Sequence, residues 1–599
     1  MNLVLWWHMH QPDYRDINGE FMLPWVYLHA IKDYIDMPLN IIANPGMKAN
    51  INITPVLIDE WQDYNYHVER ALGEVFPNKA AHALPDPFLK PLLLKKLDED
   101  TKSWMSVHYR WVNYERTVCR FDDYKRLYDI ASSKTNLYYL NDRFYFDLCV
   151  WFHLAWCGEW IKRYDPVISF LIAKGSGYTL KDRRMLLERL LKWMKYGLTL
   201  YGFPGIKGGI APSSVPEYPD FLEKNKLNEL NLKEKGRYFI TLSPHYHPIM
   251  PLLLDVHSGA IAAQMTDTAY EPVRMDRYEE GDKSARRHMD SLNYYYSQKP
   301  NGGNIRVLWP SEGAISSESL DIFNEYGINI CASGEELLSS SVGMDVHKPV
   351  FNRGKDIVPL YRVYAWKDTG LKIIFRDSGL SDLIGFTYGA WRGDDAANDL
   401  INKLNSIDDF DKGSIVSVIL DGENAWEYYY ENGFYFLNDL YSLIGSSVKI
   451  NPLLIDEVLA ICEPDTADNY FKLDGIIPGS WVNGNLRMWV GEERKNKAWI
   501  MLNEAKNEFL DSVNNKKISK RNIEAGFKNL MAAEGSDWFW WLGEDSPLSS
   551  QSSMEKIFRN LLKKIYIISG KPVPEYISES LSSTKKSIAE IGGIMQRGH

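Results

Sequence analysis

Seven short apolar runs that each end in polar or ring-bearing residues constrain this chain more than any other feature. Residues 2–7 (NLVLWW) lead into His8, His10 and Gln11, and residues 50–54 (NINIT) into Pro55. Residues 238–242 (YFITL) lead into Ser243, Pro244, His245, Tyr246 and His247, and residues 305–309 (IRVLW) into Pro310, Ser311 and Glu312. Residues 328–331 (INIC) lead into Ser333 and Glu335, 371–375 (LKIIF) into Arg376 and Asp377, and 415–420 (IVSVIL) into Asp421, Gly422 and Glu423. Near-continuous apolar strands separated by helical stretches are what a parallel sheet buried on both faces requires. After Glu312 the unit is plain: Ser316 or Ser317 can cap a helix through SSESLDIFNEYG, Gly327 can end it, and INIC is the next strand. A closed α/β barrel and an open doubly wound sheet both satisfy the pattern. In a barrel the loops at the C-terminal strand ends build the active site, and the polar residues fall there.

The runs are unevenly spaced. Between the second and third lies an insertion from about residue 62 to 237, helical in 141–164 and 180–196 and loop-like in 202–219. After about residue 440 the chain is again mainly helical, in LNEAKNEFLDSVNN and MEKIFRNLLKKIYI, as an appended domain would be. At about 150 residues per domain a chain of 599 residues has room for about four units or fewer large ones.

Composition excludes several classes. Sixty-eight Lys and Arg against 79 Asp and Glu give a net charge of −11 with no basic block, which argues against tracking nucleic-acid phosphates. Five scattered cysteines, Cys119, Cys149, Cys157, Cys331 and Cys462, lack C-x-x-C spacing and suit a reducing compartment. The start MNLVLWWHMHQP has no basic n-region, and no stretch of about 18 apolar residues occurs, so a cytoplasmic protein without membrane contact is expected. The 20 Trp and 36 Tyr exceed what a core of this size needs. Flat rings with a polar edge suit the apolar faces of sugars, and half-buried packing uses them equally well.

Two carboxylates stand out at strand ends. Glu312, in LWPSEGAIS, sits on a short turn past the fourth run, where a glycosidase nucleophile would have to stay ionised; a capping or salt-bridged Glu is the plainer alternative. Asp421, in VILDGENAWEYY, ends the seventh run, and Glu423 two residues on would repel it and raise one of the two pKa values, as a general acid requires. His8 and His10 alternate on one strand and so point the same way, with His245 and His247 as possible companions. Such imidazoles can hydrogen-bond sugar hydroxyls, or ligate a metal together with Asp421. Trp481, Trp489, Trp499, Trp538, Trp540 and Trp541 are dense enough to form a sugar-stacking wall or a plug between domains.

Together these motifs resemble glycoside hydrolase family 57. HMHQP (8–12), GRYFITLSPHYHPIMPLLLD (236–255), VLWPSEGAIS (307–316) and ILDGENAWEYY (419–429) are similar to its four conserved regions in order. GSWVNGNLRMWVGEERKNKAW (479–499), AAEGSDWFWWLGED (532–545) and FRDSGLSDLIGF (375–386) resemble its amylopullulanase-like and α-amylase-like members. The resemblance implies a (β/α)7 barrel over residues 1–440 that carries the helical insertion, followed by a helical domain at 441–599 that completes the cleft. It implies a retaining mechanism on α-glucans such as starch, glycogen or maltodextrins, with Glu312 as nucleophile and Asp421 as general acid/base. His8, His10, His245, His247, Trp309, Glu423, Trp426, Trp481, Asn483, Trp489, Asp537, Trp538 and Trp540 become candidate substrate contacts, with no metal or cofactor. Phe239 departs from the pattern, since many members carry Glu there, and Glu544 and Asp545 are followed by Ser546 where His is usual. Hydrolysis of α-1,4 bonds, with α-1,6 bonds as an extension, is the first expectation, 4-α-glucanotransfer or branching the second. The rivals are a metal-dependent deacetylase or mannosidase-like hydrolase using His8, His10 and Asp421, and a glycan-binding protein using only the Trp wall.

Overall fold

The computed structural model describes residues 1–74, 77–110, 120–133, 140–207, 219–223, 236–263, 270–298, 306–352, 355–411, 414–461, 470–543, 546 and 548–581. Cys119, Cys462, Glu544, Asp545, the first residue of the fourth run and most of 202–219 lie outside the described residues.

All seven runs are strands of one closed parallel barrel. They are β1 (Asn2–Met9), β2 (Lys48–Ile53), β3 (Arg237–Leu242), β4 (Val307–Leu308), β5 (Ile330–Gly334), β6 (Lys372–Arg376) and β7 (Ile415–Asp421). Each pairs with the next in chain order, and β7 closes on β1 through seven register pairs from Asn2↔Ile415 to His8↔Asp421. The open doubly wound alternative is therefore excluded. β4 has only two paired residues because Pro310, with no N–H, ends it just after Trp309 donates to the Leu242 carbonyl at 3.3 Å. β6 meets β7 only at Arg376↔Ser417, and its first half pairs instead with an outer strand, Val363–Trp366, joined in turn by Tyr470–Leu473. No apolar run had marked these two outer strands.

Side chains alternate across the barrel wall. Leu3, Leu5 and Trp7 of β1 face the helices, whereas Val4 and Trp6 join Val307, Trp309, Ile330, Ala332, Ile374, Ile415 and Ile419 in a separate interior cluster. Phe239 packs against this interior cluster at the level of Trp6 and Asn50, one layer below His8. A ladder of buried polar groups caps the cluster. Trp6 Nε1 and Asn52 Nδ2 both donate to Thr241 Oγ1 at 3.1 Å, and Asn52 Oδ1 accepts from Ser243 Oγ at 2.9 Å and contacts His8 Nδ1 at 2.7 Å.

Helices cover the outside. Ser316 caps Ser317–Glu325, and Gly327, at φ 70°, ends it as expected. The single helix expected over 141–164 is two, Asp142–Trp156 and Glu159–Tyr164. They break at Gly158, where a Cβ would lie 2.5 Å from Asp36 Oδ1 and where Asp36 accepts from the Glu159 and Trp160 backbone amides. Beyond residue 440, Asn451–Pro452 pairs with β1, and Glu493–Asn514, Lys520–Ala533 and Leu548–Ile568 pack together. Among the described residues no helix is long and apolar enough to cross a membrane.

Candidate active site

The strand ends converge on one cleft. Glu312 follows β4 on a tight turn whose backbone is left-handed at both Glu312 (φ 56°) and Gly313 (φ 57°). Such a conformation is costly for a side-chain-bearing residue and aims the carboxylate inward. Trp481 holds it there: its amide donates to the Glu312 carbonyl at 3.1 Å and its Nε1 to Glu312 Oε2 at 2.9 Å. An antiparallel bridge, Ile315↔Gly479, fixes the segment that carries Trp481. The other oxygen, Oε1, lies 3.8 Å from His247 Nδ1, and the Glu312 side chain remains 18% exposed.

His8, His10 and His247 form a ring cluster, with centroids 4.9 Å apart for His8 and His247 and 4.1 Å for His10 and His247. His10 is pinned at both nitrogens, by Thr54 Oγ1 at 3.0 Å and Asp537 Oδ2 at 2.9 Å. His247 contacts Ser536 Oγ at 3.0 Å, and its own amide geometry is left-handed (φ 55°). Burial lowers His8 to about 3 and His247 well below its ordinary value, and neighbouring imidazoles add to both shifts. Both rings are neutral near pH 7, so His247 faces Glu312 as a polar group rather than an ion-pair partner.

Both strand-end carboxyls are shifted upward. Burial, with the charges of Asp421 and Asp537, raises Glu312 to about 8 against the opposing Trp481 donor. Burial raises Asp421 to about 6, opposed by the Asn424 amide, the Arg376 guanidinium and His10. The repulsion expected from Glu423 falls on Glu423 instead. That side chain is 3% exposed, accepts from Gln11 Nε2 at 2.8 Å and is held far above its ordinary pKa by burial.

The other expected contacts divide. Asp537 and the partly exposed Trp481 border the cleft, Asn483 is exposed with φ 53°, and Trp540 is partly exposed beside Trp489. His245 lies apart from the histidine cluster: it stacks on Tyr246 at 4.1 Å and contacts Ser291 Oγ at 2.5 Å. Trp309, wedged between Trp6 and Trp481, and Trp426, whose Nε1 donates to the Gly422 carbonyl, are fully buried. Trp489, Trp499, Trp538 and Trp541 are buried too, and their contacts lie mainly within the C-terminal part: Trp499 stacks on Phe539 at 4.3 Å and donates to the Trp489 carbonyl, and Trp538 donates to the Ala532 carbonyl. Thr54, Ser536 and Asn424 were not singled out from sequence, and Arg376 was named only as a strand-end residue; Thr54, which directly follows β2, offered the same signal. The metal set of the rival reading does not assemble as such. Among the described residues, the donors that come within 4.8 Å of one another are His10, His247 and Asp537 in this cleft, whose residue types would suit a borderline metal ion such as zinc, and, separately, Glu335, His347 and Asp377.

Several solved structures are similar to this chain in fold at low identity. The GH57-type branching enzyme from the hyperthermophilic archaeon Pyrococcus horikoshii aligns over 98% of both chains at 12% identity and a TM-score of 0.50. A GH57 branching enzyme from Thermococcus kodakaraensis gives 13% identity, 95% and 88% coverage and a TM-score of 0.48. An α-amylase from Thermotoga maritima gives 12%, 96% and 95%, and 0.47. No curated protein sequence matches significantly. The family description "Glycosyl hydrolase family 57" matches residues 4–467, which hold all seven strands and both strand-end carboxyls. With that span of the sequence matched, this chain belongs to glycosyl hydrolase family 57.

Proposed function

We propose that this glycoside hydrolase cleaves α-glucans by double displacement, with Glu312 as nucleophile and Asp421 as general acid/base. The observation that carries the reading is the pairing of two partly exposed carboxyls at the ends of β4 and β7, close enough for the charge of one to raise the other. Family membership and the ordered sequence motifs support α-glucans as the substrate class.

Glu312 Oε1, the oxygen not held by Trp481, attacks the anomeric carbon. A C–O bond to the enzyme forms as the glycosidic C–O bond breaks, and Asp421 gives its proton to the departing oxygen. A water or sugar hydroxyl then attacks the same carbon, Asp421 takes its proton, and Glu312 leaves as carboxylate. Hydrolysis and glycosyl transfer differ only in that acceptor. We favour hydrolysis of α-1,4 bonds, with α-1,6 cleavage as an extension.

Incubation with maltoheptaose, amylose and pullulan tests this. Short products of retained anomeric configuration by NMR are expected, and products longer than the substrate would assign transfer instead. Glu312→Ala should regain part of its turnover with azide and yield the inverted glycosyl azide. Inverted native products without azide rescue would remove the nucleophile assignment. The His10–His247–Asp537 grouping favours a test of the metal reading as well. Exhaustive treatment with EDTA should leave turnover within about twofold, and loss restored by zinc would replace the glycosidase mechanism.

A further inference from the structure

Outside the cleft, the segments that follow β6 and β7 pack on one another along two glycines. A Cβ on Gly389 would lie 3.2 Å from Tyr428 Cβ, and one on Gly393 would lie 2.8 Å from Phe436 N and 3.3 Å from Tyr435 C. No larger residue fits this seam without a shift. Trp391 stands between the two glycines in the chain, edge-on to Tyr388 at 5.2 Å, and Tyr428 and Tyr435 belong to the backbone against which those glycines pack. Trp391, Tyr428 and Tyr435 are 46%, 39% and 46% exposed, and Tyr430, stacked on Tyr435 at 6.0 Å and 16°, is 65% exposed.

The surroundings hold the rings outward. Glu431, Asn432 and Gly433 are successively left-handed at φ 47°, 51° and 73°, a turn that costs energy at its two side-chain-bearing positions. Charged groups of the helical insertion keep it in place. Arg163 pairs with Glu431 and donates to the Tyr435 hydroxyl at 3.4 Å, and Arg120 lies 3.6 Å from Glu431. Exposed rings gathered this closely mark an interaction surface. Rings with polar edges, bordered by a planar guanidinium and a carboxylate, suit pyranose units, whose C–H faces stack and whose hydroxyls hydrogen-bond. Tyr428 lies seven residues past Asp421, so the patch and the cleft are carried by the same segment.

We propose that Trp391, Tyr428, Tyr430 and Tyr435 form a second carbohydrate-binding ridge that holds a stretch of α-glucan chain outside the cleft. The identity of the sugar rests on the α-glucan reading above. The test uses the full chain in a Glu312→Gln background and measures retardation in gels containing glycogen. Adding Trp391→Ala, Tyr430→Ala and Tyr435→Ala should weaken retention at least fivefold, with a Tm within about 2 °C of the parent. With Glu312 restored, the triple variant should keep kcat/KM for maltoheptaose within twofold and lose at least fivefold on glycogen. Trp391→Phe, which keeps a flat ring, should retain most of the binding. Unchanged retention of the triple variant, or a change only in sedimentation, would overturn the ridge, the latter assigning it to contact between copies. Failure of the parent to act on any α-glucan would instead overturn the substrate class, so the two failures are distinguishable.

Discussion

One proton shared between Glu312 and Asp421 decides when the site can turn over. With Asp421 raised to about 6 and Glu312 to about 8, the pair loses its first proton near pH 6 and its second near pH 8. Below that window Glu312 cannot attack, and above it Asp421 cannot donate, so kcat/KM should be bell-shaped with limbs near 6 and 8. The proton expected on Asp421 is held by the two carboxyls as a pair. The Trp481 donor and the positive charge that develops at the anomeric carbon draw it toward Asp421. Trp481→Phe removes a hydrogen bond to a charged group, worth about 1.5–3 kcal/mol. It should lower kcat/KM roughly ten- to hundredfold and, because that donor depresses the Glu312 pKa, move the descending limb to higher pH. A pH–rate profile of both proteins checks the two effects together, and a loss of rate with the limbs unmoved would reduce Trp481 to packing. Glu312→Ala and Asp421→Ala should each cost several orders of magnitude in kcat, and the double variant should be little worse, because the two act as one unit. Additive losses in single-turnover measurements would separate their roles.

The strands were legible because their interiors are apolar and their ends are not, and this alone placed Glu312, Asp421, His8 and His10 on one rim. What stayed hidden is the polar layer inside the barrel. Asn50 and Asn52 alternate with isoleucines in β2, which reads as a half-exposed strand, yet both are fully buried. Their partners are supplied by other segments: Asn52 bonds to β1 and to residues of and just past β3, and Asn50 donates to the Leu5 and Leu453 carbonyls and accepts from the Ile455 amide. The Trp-rich block left a sugar-stacking wall and a packing plug both open, because a sequence does not reveal which rings other elements cover; four of its six rings are buried. Asn52 connects three strands through His8, Thr241 and Ser243. Asn52→Leu would strand several buried polar groups, each costing about 1–3 kcal/mol. A loss of about 2–4 kcal/mol in urea unfolding is expected, along with a drop in kcat as His8 loses the contact that orients it. Unchanged stability would mean that the barrel interior can re-pair its polar atoms without Asn52.

The barrel and the C-terminal helices meet at a buried ionic knot that positions the last part of the site. Glu534 Oε1 accepts from the Tyr278 and Ser284 hydroxyls at 2.6 Å and lies 3.5 Å from Lys506 Nζ, and its Oε2 contacts His288 Nε2 at 3.0 Å. His288 in turn contacts the His245 carbonyl just beyond β3, and Gly535, next to Glu534, bridges Pro248. Ser536 and Asp537, which hold His247 and His10, follow directly. Burial alone would raise the Glu534 pKa; Lys506, His288 and Ser284 together bring it down to about 2 from 4.5. A depressed carboxyl contributes stability that is fully present above its unfolded pKa and is lost as pH falls through the folded one. The shift corresponds to roughly 3 kcal/mol, lost between about pH 4.5 and 2. Lys506, lowered by burial to about 8, titrates well clear of that window. Glu534→Gln leaves Lys506 buried beside a neutral amide and should cost about 3–5 kcal/mol at pH 7, as breaking a buried pair does. Urea unfolding over a pH series should then show the gap between parent and variant closing toward pH 2. At pH 7 the variant should also lose at least tenfold in kcat/KM, because Ser536 and Asp537 ride on the same backbone. A gap that stays constant with pH would mean that the Glu534 charge does not secure the seam, and unaltered kinetics would mean that the helix start is fixed by the Gly535–Pro248 bridge alone.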